Sequence, residues 1–311
     1  MLGSATHKTT ININMHDDIA LITCFFNPLN YKENLSNYFK FKKYITDLNY
    51  PLYTAELSFN DNSSQLVNDE YTWKIKTNDI LWHKERLLNL ISKKVPAKYK
   101  KIIWADADIS YKDKLWIDKT SESLNQYKIV QPFSKSTYLD RSENILINNR
   151  LGSIYGYKNN PKDFRGWNYN SGFVWASRRE FFEKFGLFDR GILGGGDAFM
   201  AHAFVKNLAF DLYVEKFKWN NDIVRAYLNW ALPVIDYVGD SINYLDLEVY
   251  HNWHGDLKNR KYVHRTEILK NFNPFTMLKE DENGVWNWTD LVDDEFKNKI
   301  IDYFRERKED G

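Results

Sequence analysis

Two aspartates, Asp106 and Asp108, stand one residue apart where the apolar run Lys101-Ile-Ile-Trp104 gives out. Residues two apart on an extended strand end face the same side. Two carboxylates there repel unless a cation neutralises them, and hard ions such as Mg²⁺ or Mn²⁺ take oxygen ligands and share them with substrate phosphates. The triplet alone fits a solvated turn equally well. A second cluster is Tyr250-His251-Asn-Trp-His254-Gly-Asp256. Imidazole suits Mn²⁺, and a histidine pair around a tryptophan also fits a plain structural turn. The basic residues Lys258, Arg260, Lys261 and Arg265 follow, as a phosphate clamp or as a solvated face. The third cluster is Gly194-Gly195-Gly196-Asp197. Glycines let backbone approach a ligand closely, and the acid after them serves as a general base on a hydroxyl or as a helix cap. The turn is not a P-loop, because no Gly-Lys-Ser/Thr ending follows. Cys24, within an apolar strand, reads as core, and His83 and His202 read as surface or core positions in helical segments.

These residues need elements to hold them. Ile19 to Phe26 is a continuous apolar run closed by Asn27-Pro28, the pattern of a strand buried on both faces. Leu35 to Leu48 and Ile80 to Lys93 have helical periods. Tyr50 to Leu57 and Lys101 to Trp104 read as strands, and Asn60 to Asp69 as a polar loop. Strand, helix, strand, helix, strand predicts an α/β protein with a parallel sheet flanked by helices. Ligands of such sheets bind beyond the carboxyl ends of the strands, where Asp106 and Asp108 fall. Further along, Ile129 to Phe133 and Gly172 to Ala176 read as strands, and Arg179 to Phe185 and Ala198 to Val205 as helices. Leu193 to Asp197 reads as a flexible turn between the last two.

The 311 residues carry a formal charge of +1, so no global field steers the chain to nucleic acid or membrane. Hydrophobic residues make up 43%, a globular composition. One cysteine excludes an internal disulfide, and with no signal pattern or long apolar run the expectation is a soluble, cytoplasmic protein without a membrane segment. Aromatics reach 16%, enough for both a ring-rich core and stacking faces for sugars or bases.

The order of motifs resembles the GT-A fold glycosyltransferases, closest in kind to the β-1,4-galactosyltransferase-like group and related bacterial and viral sequences. The resemblance runs from about Ile19 to Trp288 and implies a Rossmann-like nucleotide-diphospho-sugar transferase fold with a mixed, mostly parallel sheet flanked by helices. The expected layout is a flexible segment over residues 1–17, read from its small polar residues, and one domain over 18–289. Within that domain, 18–110 is a nucleotide-sugar-binding half and 111–289 an acceptor and metal half. A C-terminal helix covers 290–311. Trp82-His-Lys-Glu-Arg-Leu-Leu-Asn89 is similar to the family's helix with an aromatic and a base. That implies Trp82 against the nucleotide base and Lys84 on the diphosphate, with Arg86 in reserve. Thr23, Phe25 and Asn27 match the first-strand turn on the nucleotide, and Glu56 the acceptor for the base edge. Asp106 and Asp108, with His251 and His254, are the implied metal ligands, Asp106 also meeting the donor.

Ser171 to Ser177, with the glycine turn, is similar to the acceptor segment, which puts Gly195 and Gly196 against the acceptor and makes Asp197 the base of an inverting reaction. The family has further acids after its glycines, where this chain has Ala198-Phe199. Trp167, Tyr169 and Trp175 are the candidate stacking face. The implied cofactor is Mn²⁺ or Mg²⁺, the donor a nucleotide-diphosphate sugar with UDP favoured, and Lys258 and Arg260 add charge to the diphosphate. The acceptor is a glycan, a protein or a modified nucleic-acid base. Two other readings stay open: a metal-dependent nucleotidyltransferase and a non-catalytic carbohydrate-binding module.

Overall fold

The run Ile19–Phe26 becomes β1, near the middle of a seven-stranded sheet in the computed structural model. The structure describes residues 17–59, 64–161, 168–208, 219–261 and 264–311. The expected segment over residues 1–17, apart from its last residue, and Trp167 lie outside the described residues, as do the middle positions 60–63 of the expected loop.

After β1 come α1 (Lys32–Asp47), β2 (Leu52–Phe59), β3 (Thr72–Thr77), α2 (Lys84–Ser92), β4 (Lys101–Ala105) and β5 (Ile109–Tyr111). Then follow α3 (Trp116–Gln126), β6 (Ile129–Gln131), β7 (Lys135–Leu139), β8 (Ile145–Leu151), α4 (Ser153–Asn159) and β9 (Val174–Arg178). The chain continues with α5 (Arg179–Lys184), α6 (Gly196–Phe204), α7 (Asn221–Val238), β10 (Ile242–Tyr244) and β11 (Glu248–His251). It ends with β12 (Leu278–Glu280), β13 (Trp286–Trp288) and α8 (Asp294–Glu306).

The large sheet has the order β10-β6-β9-β4-β1-β2-β3. β1 pairs in parallel with β2 and β4, β2 with β3, and β6 with β10, while β9 runs antiparallel between β4 and β6. This is the mixed, mostly parallel α/β architecture expected. Strands from residues 18–110 and from 111–289 share this one sheet. Alternation along β1 divides the core. Ala20 and Ile22 face Leu87, Leu88 and Ile91 of α2, while Ile19 and Leu21 face Phe41 and Ile45 of α1 and Ile117 of α3.

A second sheet, β5-β11-β7-β8, stands beyond the carboxyl end of β4. β5 and β11 are short and β11 pairs across long stretches of chain, as Glu248 does with Lys135, so local periodicity does not register them. α7 likewise goes beyond the sequence reading. Asn220 caps it by accepting from the backbone N–H groups of Asp222 and Ile223, and Pro233 inside it blunts the helical signal. The expected helix from Ile80 starts later, at Lys84, because the Trp82 N–H is held by the Ile192 carbonyl at 3.0 Å. The expected turn over Leu193 to Asp197 already contains the start of α6. Of residues 290–311, only the span of α8 is helical, and the chain after it folds back onto α1. Among the described residues, no helix is long and apolar enough to cross a membrane.

Candidate active site

Asp106 and Asp108 follow the end of β4. Thr23 Oγ1 donates to the Ala105 carbonyl at 2.8 Å, tying the ends of β1 and β4 together. The Asp106 N–H donates to the Phe173 carbonyl at 2.7 Å, which fixes the loop against β9. β11 pairs antiparallel with β5 in a register that sets His251 opposite Ile109, and the Asn252 N–H donates to the Asp108 carbonyl at 2.8 Å. The pairing therefore brings His251 beside Asp108.

The Asp108 Oδ2 atom lies 3.5 Å from His251 Nε2 and 2.9 Å from His254 Nε2. One ligand atom from each of the three residues falls within 4.8 Å of the others. Asp108 Oδ1 is buried with no hydrogen-bond partner, so it keeps its acceptor capacity. Two imidazoles and a carboxylate are a donor set that suits Mn²⁺. Burial opposes charge on Asp108, but His251, the hydrogen bond from His254 and the Arg260 guanidinium outweigh it and hold the carboxyl well below its usual range. Burial pushes His251 down to about 3, against the pull of Asp108.

Asp106 does not join that group. Its Oδ1 pairs with Lys84 Nζ at 2.6 Å, and the same ammonium pairs with Asp197 Oδ2 at 2.8 Å. Burial alone would push Lys84 down, but Asp106, Asp197 and Glu85 hold it well above its usual value. Burial pushes Asp106 up to about 6, with Lys84 pulling the other way and Asp197 and Asp108 adding to the rise. Asp197 sits in the first turn of α6, reached through Gly195 at φ +93°, a conformation that side chains rarely tolerate. At Gly196 a Cβ would meet Glu85 Oε1 at 2.2 Å, so the buried Glu85 carboxyl fills the space that glycine leaves. Burial pushes Glu85 up to about 8 despite Lys84.

Both groups open on one cavity of about 570 Å³, within the range of small-ligand sites. Thr23, Phe25, Trp82, Lys84, Tyr169, Gly195 and Arg260 line it together with Asp106, Asp108, Asp197, His251 and His254. Other sequence candidates lie elsewhere. Glu56 accepts from the backbone of Gln65 and Leu66 and from Ser64, and Asn27 bonds Tyr31 and Gln65. Arg86 is tied to Asp189, Glu280 and the face of Trp286. Trp175 is buried in the core against Phe204 and donates its indole N–H to the Ser171 carbonyl. Lys258 is exposed and pairs with Asp256, and Gly196 faces Glu85 rather than the cavity. Cys24, read as core, is half-buried and lines the cavity wall. His83 and His202 are buried, with His202 also on the wall.

Sequence reasoning misses the contribution of the chain's end. Phe304, Arg307 and Glu309 line the cavity with Tyr31. Phe304 stacks on Trp82 with ring centroids 6.2 Å apart, and the Arg307 guanidinium lies 5.1 Å from the Trp82 centroid. In a charged terminal segment such residues read as a solvated face, and only the Phe304 periodicity within α8 gives any signal of burial.

No family model matches the chain, and no curated protein matches it. Solved structures similar to it include the catalytic domain of Drosophila β1,4-galactosyltransferase 7 in complex with xylobiose, at 13% identity and a TM-score of 0.35, covering 62% of this chain and 60% of that one. A mutant of the same Drosophila enzyme in complex with manganese, UDP-Gal and xylobiose gives 14% identity, a TM-score of 0.35 and the same coverage. A putative glucose-1-phosphate thymidylyltransferase from Bacillus anthracis in complex with sucrose gives 10% identity and a TM-score of 0.36, covering 82% of this chain and 96% of that one. The chain thus spans about 60% of the length of the galactosyltransferase chains it matches.

Proposed function

We propose that this chain is a metal-dependent glycosyltransferase that moves a sugar from a nucleotide-diphosphate donor, with a UDP-sugar favoured, to an acceptor hydroxyl. The observation that carries the reading is the opening of two different carboxylate sites on one cavity: Asp108 with His251 and His254, and Asp197 held by Lys84. Asp108, His251 and His254 would hold Mn²⁺, and a divalent ion bound there supplies Lewis-acid stabilisation of the departing diphosphate.

The chain's own groups do the rest. Trp82, Thr23 and Phe25 form the wall on which the nucleotide rests. Lys84 and Arg260 place positive charge beside the diphosphate. Lys84 also fixes Asp197 Oδ2, which leaves Oδ1 for the acceptor. As the acceptor oxygen attacks the anomeric carbon, the bond from that carbon to the diphosphate oxygen breaks, and the hydroxyl proton passes to Asp197. Attack opposite the leaving group inverts the anomeric centre. Tyr169 lines the acceptor side of the cavity.

The test is a panel of nucleotide sugars with glycan, peptide and nucleic-acid acceptors, with Mn²⁺ and with a chelator. Release of nucleoside diphosphate together with a glycosylated acceptor supports the proposal. Release of pyrophosphate with the nucleotide joined to the acceptor replaces it with nucleotidyl transfer. Glycan binding that needs neither donor nor Mn²⁺ replaces it with a carbohydrate-binding role. Asp108→Ala is expected to lower metal-dependent transfer by roughly a thousandfold or more, and full activity in that variant rejects the ligand assignment.

A further inference from the structure

Histidines that ligate metals commonly donate their second ring N–H to a carboxylate, which fixes the tautomer and the ring's orientation. His254 has a carboxylate near its second ring nitrogen, and it comes from the segment after α8. Its Nε2 stands 2.9 Å from Asp108 Oδ2, and its Nδ1 stands 3.4 Å from Glu309 Oε1. Glu309 is buried at 7% exposure, and its carboxylate is itself fixed. Arg307 Nε donates to Oε1 at 2.7 Å and Asn34 Nδ2 donates to Oε2 at 2.6 Å.

Arg260 constrains the ring from a second direction. One of its terminal nitrogens lies 2.6 Å from His254 Nε2 and 3.2 Å from Nδ1. A guanidinium only donates and an ionised carboxylate only accepts. Nε2 also stands 2.9 Å from Asp108 Oδ2, so a carboxylate faces each ring nitrogen; a cation shared by Nε2 and Asp108 would replace the proton there and leave the one on Nδ1, toward Glu309.

We propose that Glu309 is a positioning residue of the cation site. It holds the Nδ1 proton of His254 and so presents the Nε2 lone pair beside Asp108. The proposal rests on the reading of Asp108, His251 and His254 as a cation centre. It makes the segment after α8 part of that centre, not merely a cover over it. The neighbouring Asp310 has a separate task. Its carboxylate accepts from the backbone N–H groups of Lys32 and Glu33 at 3.1 and 2.9 Å. It thereby caps α1, whose own N-cap residue, Tyr31, makes no side-chain capping bond. Asp310→Ala therefore loosens the latch without touching the histidine, whereas Glu309 both faces the histidine and accepts from Asn34 of α1.

The experiment titrates Mn²⁺ alone into metal-free wild type, Glu309→Ala, Glu309→Gln and Asp310→Ala by calorimetry. It also reads the His254 tautomer by ¹⁵N NMR in the proteins loaded with Zn²⁺, a diamagnetic ion that would replace the proton facing Asp108. Glu309→Ala should bind Mn²⁺ about 10- to 100-fold more weakly. Glu309→Gln keeps an acceptor and should lose about three- to tenfold. Asp310→Ala should stay within about threefold of wild type, since its carboxylate touches only the α1 backbone. With Zn²⁺ bound, the ring should be protonated on Nδ1 and ligate through Nε2 in wild type, and should lose that preference in Glu309→Ala. If the Ala variant does not fold, the Gln variant decides, and wild-type affinity in it overturns the proposal. Equal losses in Glu309→Ala and Asp310→Ala, or an unchanged tautomer in Glu309→Ala, also overturn it. Wild type that takes no Mn²⁺ at all overturns the cation centre itself, whereas Mn²⁺ binding of equal strength in wild type and both Glu309 variants overturns the positioning role and leaves the centre standing.

Discussion

Asp106 and Asp108 share one loop, yet their carboxyls are driven in opposite directions. Asp106 is raised to about 6 by burial and by two neighbouring acids, with Lys84 its compensating cation. Asp108 is equally enclosed and is held well below the usual range, among His251, His254 and Arg260. Burial is common to both, so the partners decide. One side of the loop is an ammonium shared between two acids. The other is a carboxylate, with one oxygen unpartnered, facing two imidazoles. The D-x-D triplet is thus not a symmetric clamp in this chain. Its first acid belongs to the Lys84 and Asp197 side, and its second to the histidines.

Lys84→Met attacks the first side most directly. Removing one partner of a buried ion cluster leaves uncompensated charge, and the expected loss is about 3–5 kcal/mol of stability, measured by urea unfolding. A variant as stable as wild type would show that the ammonium does not hold the two acids together. Asp197→Asn asks whether this side carries the chemistry. Turnover should fall about 100- to 1000-fold while donor affinity stays within a few-fold. Weakened donor binding with intact turnover would move Asp197 to the donor side of the comparison.

The smallest expected effect is a pH dependence from Glu85. Unfolded, its carboxyl ionises near the ordinary value; folded, burial keeps it protonated up to about 8. Between those values the folded state binds the extra proton, so this contribution to stability is lost as pH rises. Metal-free wild type should lose roughly 1 kcal/mol per pH unit between about pH 6.5 and 8, and Glu85→Gln should remove that slope. Equal slopes in both proteins would mean that Glu85 is ionised inside the fold.

The sequence made part of this legible because some signals are local. The apolar run of Ile19 to Phe26, closed by Asn27-Pro28, reads as a strand covered on both faces, and β1 is one. The loss of apolar character after Trp104 marked a strand end, and β4 ends at Ala105. Residue type and spacing nominated Asp108, His251, His254 and Asp197, and the family resemblance nominated Lys84; all of them line one cavity. Arg86 and Trp175 look the same in sequence as Lys84 and Trp82. Their surroundings separate them: Arg86 faces Asp189 and Glu280, and Trp175 faces Phe204. The β5 and β11 strands, of three and four residues, carry too little local pattern to reveal the sheet they build.

By itself the sequence determined the chemistry on offer: oxygen and imidazole donors, an acid behind three glycines, and strands whose apolar pattern requires cover on both sides. Tertiary structure decided how that chemistry is divided. The register of β11 on β5 set His251 beside Asp108, the position of α2 against the sheet let one lysine bridge Asp106 and Asp197, and the return of the chain after α8 brought Glu309 to His254. Each of these depends on contacts between residues far apart in the chain, whose closure is favoured only once the whole core is packed.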